Sequence, residues 1–526
     1  MHLLHSADFL RGALQAAATA CCLHPVPPPL PLADARTRKT DLVFSQTRAS
    51  RPLLFSTHAS SSSASSPSPS PLRESLAAAA ESAKNAATKP EICTADELHY
   101  VPVPGTGWKL ALWRYRPSPE APKRNHPLMI LAGVGANAVG FDLSPGASFA
   151  RHMSSHGFDT WIVEVRGAGL SIHGLDSEPV NQSTNKSACD KNNPDGVVPK
   201  QQSVMNNGLP EARQNSAVAA QIRDLSQRLV SIIGEGQRSV SPQMFDLQGR
   251  LVATIEDFQK QLDLIVLYDW DFDNHLEEDV PAAMEYIKNH SKTQDGKLLA
   301  IGHSMGGILL YAMLSRCGFE ERKSGLAGVV TLASSVDYTS SKSTLKLLLP
   351  LADPAQALNV PVIPLGALLA AAYPLASRPP YVLSWLNAQV SALDMMHPEL
   401  YEKLILKNFG TISTKVLLQL TTAFKEGGLR DRGGNFCYKD HLNKCNVPVL
   451  ALAADQDLLC PPEAVYETVK LFPRHVISCR VFGKPEGLHY GHYDLVGGRL
   501  AVDEVYPGIV EFLSCHDKVS SGDDSD

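Results

Sequence analysis

No run of eighteen apolar residues occurs in the 526-residue chain, so the sequence offers no membrane-spanning helix. The nearest approach, residues 345–376, contains Lys346 and Asp353 and is broken by Pro350, Pro354, Pro361, Pro364 and Pro374. No Cys-x-x-Cys pair or other zinc-ligand spacing exists among the ten cysteines, at positions 21, 22, 93, 189, 317, 437, 445, 460, 479 and 515. Most of those past residue 90 sit in apolar strand or helix patterns and read as small core residues rather than a disulfide framework. No metal or redox cofactor is implied. Positive charge is not in excess either. Lys and Arg number 48 against 54 Asp and Glu, a net charge of −6. With no basic stripe interleaved with aromatics, no nucleic-acid partner is expected. What remains, 44% hydrophobic and 19% charged, is globular composition with room for a large domain carrying insertions.

The N-terminus differs in kind. Residues 1–73 hold seven basic side chains (Arg11, Arg36, Arg38, Lys39, Arg48, Arg51 and Arg73) against three acids (Asp8, Asp34 and Asp41), with a proline cluster at 25–31 and a Ser/Ala/Pro tract at 60–70. Such a stretch cannot bury a core, and its Ser-rich, acid-poor balance resembles an organelle transit peptide, plastid rather than mitochondrial. The globular body is expected after a linker at 74–96, within 97–515, followed by an acidic tail at 516–526.

Within that body, apolar runs and turn residues alternate. Residues 97–103 and 108–115 flank Pro104-Gly105-Thr106-Gly107, a β-hairpin signal. Strands are predicted at 127–134, 160–165, 298–302, 326–332, 447–453 and 476–482, and helices at 149–156, 277–289, 463–471 and 505–513. This order suits a mostly parallel sheet. Two insertions interrupt it. Residues 175–265 contain a polar stretch and then two amphipathic helical patterns (Val218, Ile222, Leu225, Leu229, Ile232, then Phe245, Leu251, Ile255, Phe258, Leu262, Ile265). They read first as packing on the domain's own surface, with a protein-partner interface as the alternative. Residues 338–435, rich in Leu, Ala and Pro, read as a cap.

Gly302-His303-Ser304-Met305-Gly306 lies between an apolar strand and an apolar helix. The pattern Gly-x-Ser-x-Gly in that setting is a nucleophile elbow: a tight turn forces the serine into a strained backbone, and glycine avoids the clash on either side. A serine hydroxyl needs a base to take its proton. In this arrangement an acid and then a histidine follow the serine, each after a strand. Asp457 follows the 447–453 strand and precedes Pro461; His492 follows the 476–482 strand. Ser304 is therefore the candidate nucleophile, His492 the candidate base and Asp457 the candidate orienting carboxylate. Asp455 and His489 are the rivals. The candidate oxyanion donors are the backbone N–H of Met305 and that of Val134 or Gly135 in Gly133-Val134-Gly135.

These residues resemble an α/β-hydrolase over roughly 97–515, in the flavour of the acid-lipase-like branch. Trp270-Asp271-Phe272 with Asp279-Val280-Pro281-Ala282-Ala283, leading to Gly302-His303-Ser304, resembles the approach to the elbow in that branch. Arg166-Gly167, and His492-Tyr493-Asp494 followed by Val505-Tyr506, also match. The chain departs from it in having Ala132-Gly133 where His-Gly is usual, and in the 175–265 insertion. Polyester synthases use cysteine at the elbow, where this chain has Ser304. With its transit-like start the whole resembles a plant plastid α/β-hydrolase family. The resemblance implies an eight-stranded, mostly parallel sheet with helices on both faces. The expected function is a serine carboxylester hydrolase acting on a lipid-like ester, a small-molecule acyl ester or a membrane lipid. An acyltransferase sharing the acyl-enzyme, or a non-catalytic scaffold, is the alternative.

Overall fold

A computed structural model describes residues 90–174, 269–348 and 362–519. The transit-like segment 1–73, most of the linker, the 175–265 insertion and all but the start of the acidic tail lie outside the described residues. The hairpin forms as its sequence predicts: β1 (Glu97–Pro102) pairs antiparallel with β2 (Trp108–Tyr115), Leu98 opposite Trp113. Next come β3 (Leu128–Leu131), α1 (Phe149–Ser155), β4 (Thr160–Glu164) and the short β5 (Ile172–His173). The chain then enters α2 (Val280–Ser291) through a π-helical turn, His275–Asp279. β6 (Leu298–His303), α3 (Met305–Phe319) and β7 (Leu326–Leu332) follow.

Between β7 and Val449 the chain makes a long excursion. It holds a two-stranded sheet, β8 (Val362–Ile363) with β9 (Ile412–Ser413), and the helices α4 (Leu365–Ser377), α5 (Pro398–Lys407) and α6 (Thr414–Thr421). β10 (Val449–Ala454), α7 (Pro462–Val469), β11 (Ile477–Phe482) and α8 (Tyr506–Cys515) complete the fold.

The main sheet runs β1-β2-β4-β3-β6-β7-β10-β11. Pairs from β4 to β11 are parallel, and β1 and β2 are antiparallel at one edge. The eight strands expected are thus in line. A ninth, β5, adds two residues beside β2; a pair that short has no periodicity to detect. β3, β4 and β6 are buried at every residue. Strands without alternation must be covered on both faces, which is why helices flank both sides. Among the described cysteines none is in a disulfide, and Cys93, Cys317, Cys445 and Cys460 are buried.

A buried ion pair ties two early connections together. The Arg166 guanidinium, just after β4, meets the Asp279 carboxylate at the start of α2 at 2.7–3.1 Å, and the Arg166 backbone N–H donates to the same carboxylate. His275 Nδ1 lies 2.9 Å from Asp279. The Arg166-Gly167 and Asp279-Val280-Pro281 motifs therefore touch in space and build scaffold rather than reaction centre.

Candidate active site

The elbow sits where β6 meets α3. Ser304 takes φ 54° and ψ −121°, outside the comfortable range of a side-chain-bearing residue. The turn is held by the Ser304 N–H donating to Leu332 O and the Ser334 hydroxyl donating to Ser304 O, both at 2.9 Å. A Cβ at residue 302 would collide with the backbone of Gly306 and Gly307, and one at 306 with the carbonyls of Leu131 and Ala132. Both glycines of the motif are thus demanded by backbone packed on backbone.

That second contact sets the end of β3 against the start of α3. Gly133 lies so close that a Cβ there would be 3.2 Å from Ser304 Cβ. None of Met305, Val134 and Gly135 donates its backbone N–H to another described residue, so all three remain available to a ligand. Gly135, at φ 63°, is in the left-handed region, and a Cβ on it would press on Ile412 at 2.7 Å. Its carbonyl accepts from Gly410 N at 2.7 Å. Gly135 thus anchors the excursion to this loop.

His492 and Asp457 are buried together at the ends of β11 and β10. His492 Nδ1 is 2.7 Å from Asp457 Oδ2. The other oxygen, Oδ1, accepts from the N–H groups of Leu459 and Cys460, each at 2.8 Å. These bonds leave the carboxylate one orientation, facing the imidazole. The elbow is joined to this pair through His303, whose Nε2 donates to His492 O at 2.9 Å with ring centroids 4.7 Å apart. Burial, then repulsion by His492, pushes His303 down to about 3; it is a neutral donor. No hydrogen bond joins Ser304 Oγ to His492 among the described residues. Contacts of this kind commonly tighten only when substrate arrives.

The rival residues pair with each other. His489 Nδ1 is 2.5 Å from Asp455 Oδ2, and Tyr490 N donates to Asp455 Oδ1 at 2.9 Å. Asp455 also packs on Gly483, so it pins the loop that leads to His492. This second pair is partly exposed, whereas Asp457 and His492 are enclosed.

Two residues given no role in the sequence analysis hold the excursion on the site. Asn408, fully buried, accepts from Gly140 N at 2.9 Å through Oδ1 and donates to Tyr493 Oη at 3.0 Å. Asp494 accepts from Gly491 N, Ala392 N and the Ser391 hydroxyl at 2.6–2.7 Å. Burial lifts its carboxyl to about 6 despite those bonds. Asn408 has no sequence signal, since its partners lie far away in the chain. Asp494 does have one, as the last residue of His492-Tyr493-Asp494.

One group among the described residues offers three metal-ligand atoms: Glu97, His99 and His290. Arg114 Nη1 already lies 3.0 Å from Glu97 and 2.9 Å from His290. With Arg116 also on Glu97, the cluster is an ion-pair network whose cations are guanidiniums. A cleft of about 500 Å³ lined by Met284, Lys288, Met313 and Arg316, between α2 and α3, contains none of the candidate residues.

The alpha/beta hydrolase fold family model matches residues 126–494. No curated protein matches the chain. Solved structures do. A bacterial membrane phospholipase A is 14% identical, with 85% of this chain and 93% of that chain covered and a TM-score of 0.39. An esterase from Thermogutta terrifontis is 13% identical, covering 80% and 100%, TM-score 0.39. An esterase from Exiguobacterium antarcticum is 13% identical, covering 80% and 99%, TM-score 0.39.

Proposed function

The chain belongs to the alpha/beta hydrolase fold family, and from that premise we propose that it is a serine hydrolase of carboxylic esters, acting on lipid-like substrates. Fold membership alone does not carry this, because one fold hosts many chemistries. The observation that carries it is the enclosed Asp457–His492 pair, locked by His303 to an elbow whose serine is held in a strained conformation.

In this reading Ser304 Oγ attacks the ester carbonyl while His492 Nε2 takes the hydroxyl proton. Asp457 holds the tautomer with Nδ1 protonated and stabilises the imidazolium. The carbonyl oxygen, now negative, is received by the N–H group of Met305 and that of Val134 or Gly135. The tetrahedral species collapses, His492 gives its proton to the leaving alcohol, and an acyl-Ser304 ester remains. Water, deprotonated by His492, attacks that ester and releases the acid with Ser304 restored. Gly135 also takes a structural part, since its carbonyl joins the loop to Gly410.

The excursion between β7 and β10 acts as the cap that shelters the acyl chain; its apolar composition supports that role. The composition of residues 1–73 supports delivery to a plastid. The test of the reaction is fluorophosphonate labelling of the full chain. Native protein should label and turn over acyl esters, and Ser304→Ala should do neither. Equal labelling of both forms would remove Ser304 from the reaction.

A further inference from the structure

The excursion has two feet, and they stand on opposite sides of the candidate site. One foot is the start of α4. Gly366 N donates to Gly410 O, and Gly410 N donates to Gly135 O, next to the Val134 N–H. The other foot is Ser391-Ala392, bound by Asp494, whose carboxylate also holds Gly491 N beside His492. Tyr493 N donates to Val390 O at the same foot. The chain between them, residues 365–393, is an arch from the oxyanion side of Ser304 to the histidine side.

The arch carries an unusual surface. Five of the thirteen large hydrophobic side chains exposed among the described residues fall in these 29 positions: Leu368, Tyr381, Val382, Trp385 and Leu393. Val382 is 61% and Leu393 88% exposed. In α4, a 13-residue helix, only Ala376 is buried. Single exposed apolar residues need no explanation, but a concentration of them marks an interaction surface. Within the 29 positions the one charge is Arg378, which is exposed, and the first acid, the exposed Asp394, follows directly after Leu393. The rest of the chain is net negative, since the total is −6.

We propose that the arch 365–393 docks the protein on a phospholipid surface, with its exposed Leu, Val, Tyr and Trp side chains entering the headgroup–acyl boundary and Arg378 pairing with lipid phosphate. Aromatic and aliphatic residues beside a lone cation and no acid are the composition of an interfacial anchor. A protein partner with complementary charge would leave the acid-free apolar run without further polar matches. The charge of the patch suits phosphate, and its apolar bulk suits the layer beneath. No helix of the described residues is long and apolar enough to cross a membrane, so the contact is peripheral. The purpose of the docking rests on the ester-hydrolase reading, since the arch delivers the lipid edge beside Ser304. The docking itself does not.

Trp385 is the reporter. Of the chain's five tryptophans it is 44% exposed, while Trp108, Trp113, Trp161 and Trp270 are at most 5% exposed. Vesicles of phosphatidylcholine and phosphatidylglycerol are added to the full chain carrying Ser304→Ala, so that lipid turnover plays no part. Trp385 emission should shift to the blue and become protected from iodide, and the protein should float with the vesicles. Val382→Asp with Leu393→Asp, both at surface positions, should lower vesicle partitioning by roughly tenfold per residue. Arg378→Glu should weaken binding more on phosphatidylglycerol-containing vesicles than on phosphatidylcholine alone. In the native background these changes should slow attack on vesicle-borne ester several-fold more than they slow turnover of a short soluble ester. No emission shift and no flotation overturns the proposal. So does iodide protection of Trp385 without lipid together with a dimer on sedimentation, which would assign the patch to a second copy. Vesicle binding with no labelling of the native chain would sink the hydrolase reading and leave the docking standing.

Discussion

His303 Nε2 donates to the backbone carbonyl of His492 at 2.9 Å, so the residue preceding the candidate nucleophile holds the candidate base by its main chain. Because His303 is neutral, with burial pushing it down to about 3, this bond persists at any working pH. His303→Phe should keep the ring packing on Tyr493 but leave a buried carbonyl without a donor, at a cost of about 1–3 kcal/mol. We expect kcat to fall about tenfold or more with KM nearly constant, and His303→Gln, which restores a donor, to recover part of it. Steady-state kinetics on a soluble ester reads both. An equal rise in KM would assign His303 to substrate binding instead.

Two Asp–His pairs, their acids two and their histidines three residues apart, make a direct contrast. Asp457→Asn should lower the rate of fluorophosphonate labelling by about 10⁴-fold, because the tautomer of His492 is no longer set. Asp455→Asn, which loosens the loop through His489 and Tyr490, should lower it by less than about tenfold. The reverse ranking would move the reaction to the Asp455–His489 pair.

What the sequence made legible was whatever has local periodicity. The hairpin around Gly105 and Gly107, the all-apolar β6 and the turn at Ser304 each show themselves within about ten residues. The positions of Asp457 and His492 were legible only as strand ends. Asp455 and His489 stood only as rivals, and that they pair with each other could not be read, because loop-to-loop register leaves no pattern in sequence. Asn408 and β8–β9 were invisible for the same reason. Asn408 joins Gly140 to Tyr493, across 268 and 85 residues, and no run of composition announces that. The arch was noticed as Leu-, Ala- and Pro-rich, but composition alone cannot say which apolar side chains stay outside.

The Arg166–Asp279 pair should matter to stability and not to chemistry. Its side chains are 4% and 0% exposed, and Asp279 is held below the usual carboxylate range because bonds from His275 and Arg166 outweigh burial, which acts to raise it. Arg166→Met leaves a buried carboxylate short of its cation and should cost about 3–5 kcal/mol. Replacing both, Arg166→Met with Asp279→Leu, should recover much of that. Urea midpoints of the three forms test this, with labelling of the surviving folded protein unchanged.

Glu164 supplies a pH dependence of defined sign. It is fully enclosed, accepting from Ala138 N at 2.9 Å and Leu170 N at 2.7 Å, and burial lifts its carboxyl from 4.5 to about 7. The folded state therefore holds the proton more tightly than the unfolded state. Its contribution is complete below pH 4.5 and is lost as pH rises through about 7. Relative to Glu164→Gln, native stability should decline over that window by on the order of 3 kcal/mol. Denaturation curves at several pH values on both forms read the difference, and a flat difference would mean the carboxylate is ionised throughout.

Ser304 itself should be a stability liability. Its φ of 54° with ψ of −121° is a conformation that glycine adopts freely and other residues at a cost of about 1–3 kcal/mol. Its hydroxyl has no hydrogen-bond partner among the described residues, so removing it forfeits little. Ser304→Gly relieves the strain, less the roughly 0.5–1 kcal/mol that glycine loses through extra freedom in the unfolded chain. Ser304→Ala removes the same hydroxyl but keeps the Cβ, and with it the strain. The two variants should be equally unreactive toward a fluorophosphonate yet unequal in stability, with glycine above both alanine and the native chain by about 1 kcal/mol. If glycine and alanine melted together, the backbone at 304 would be relaxed, and the elbow would owe its shape to packing by Gly302 and Gly306 alone.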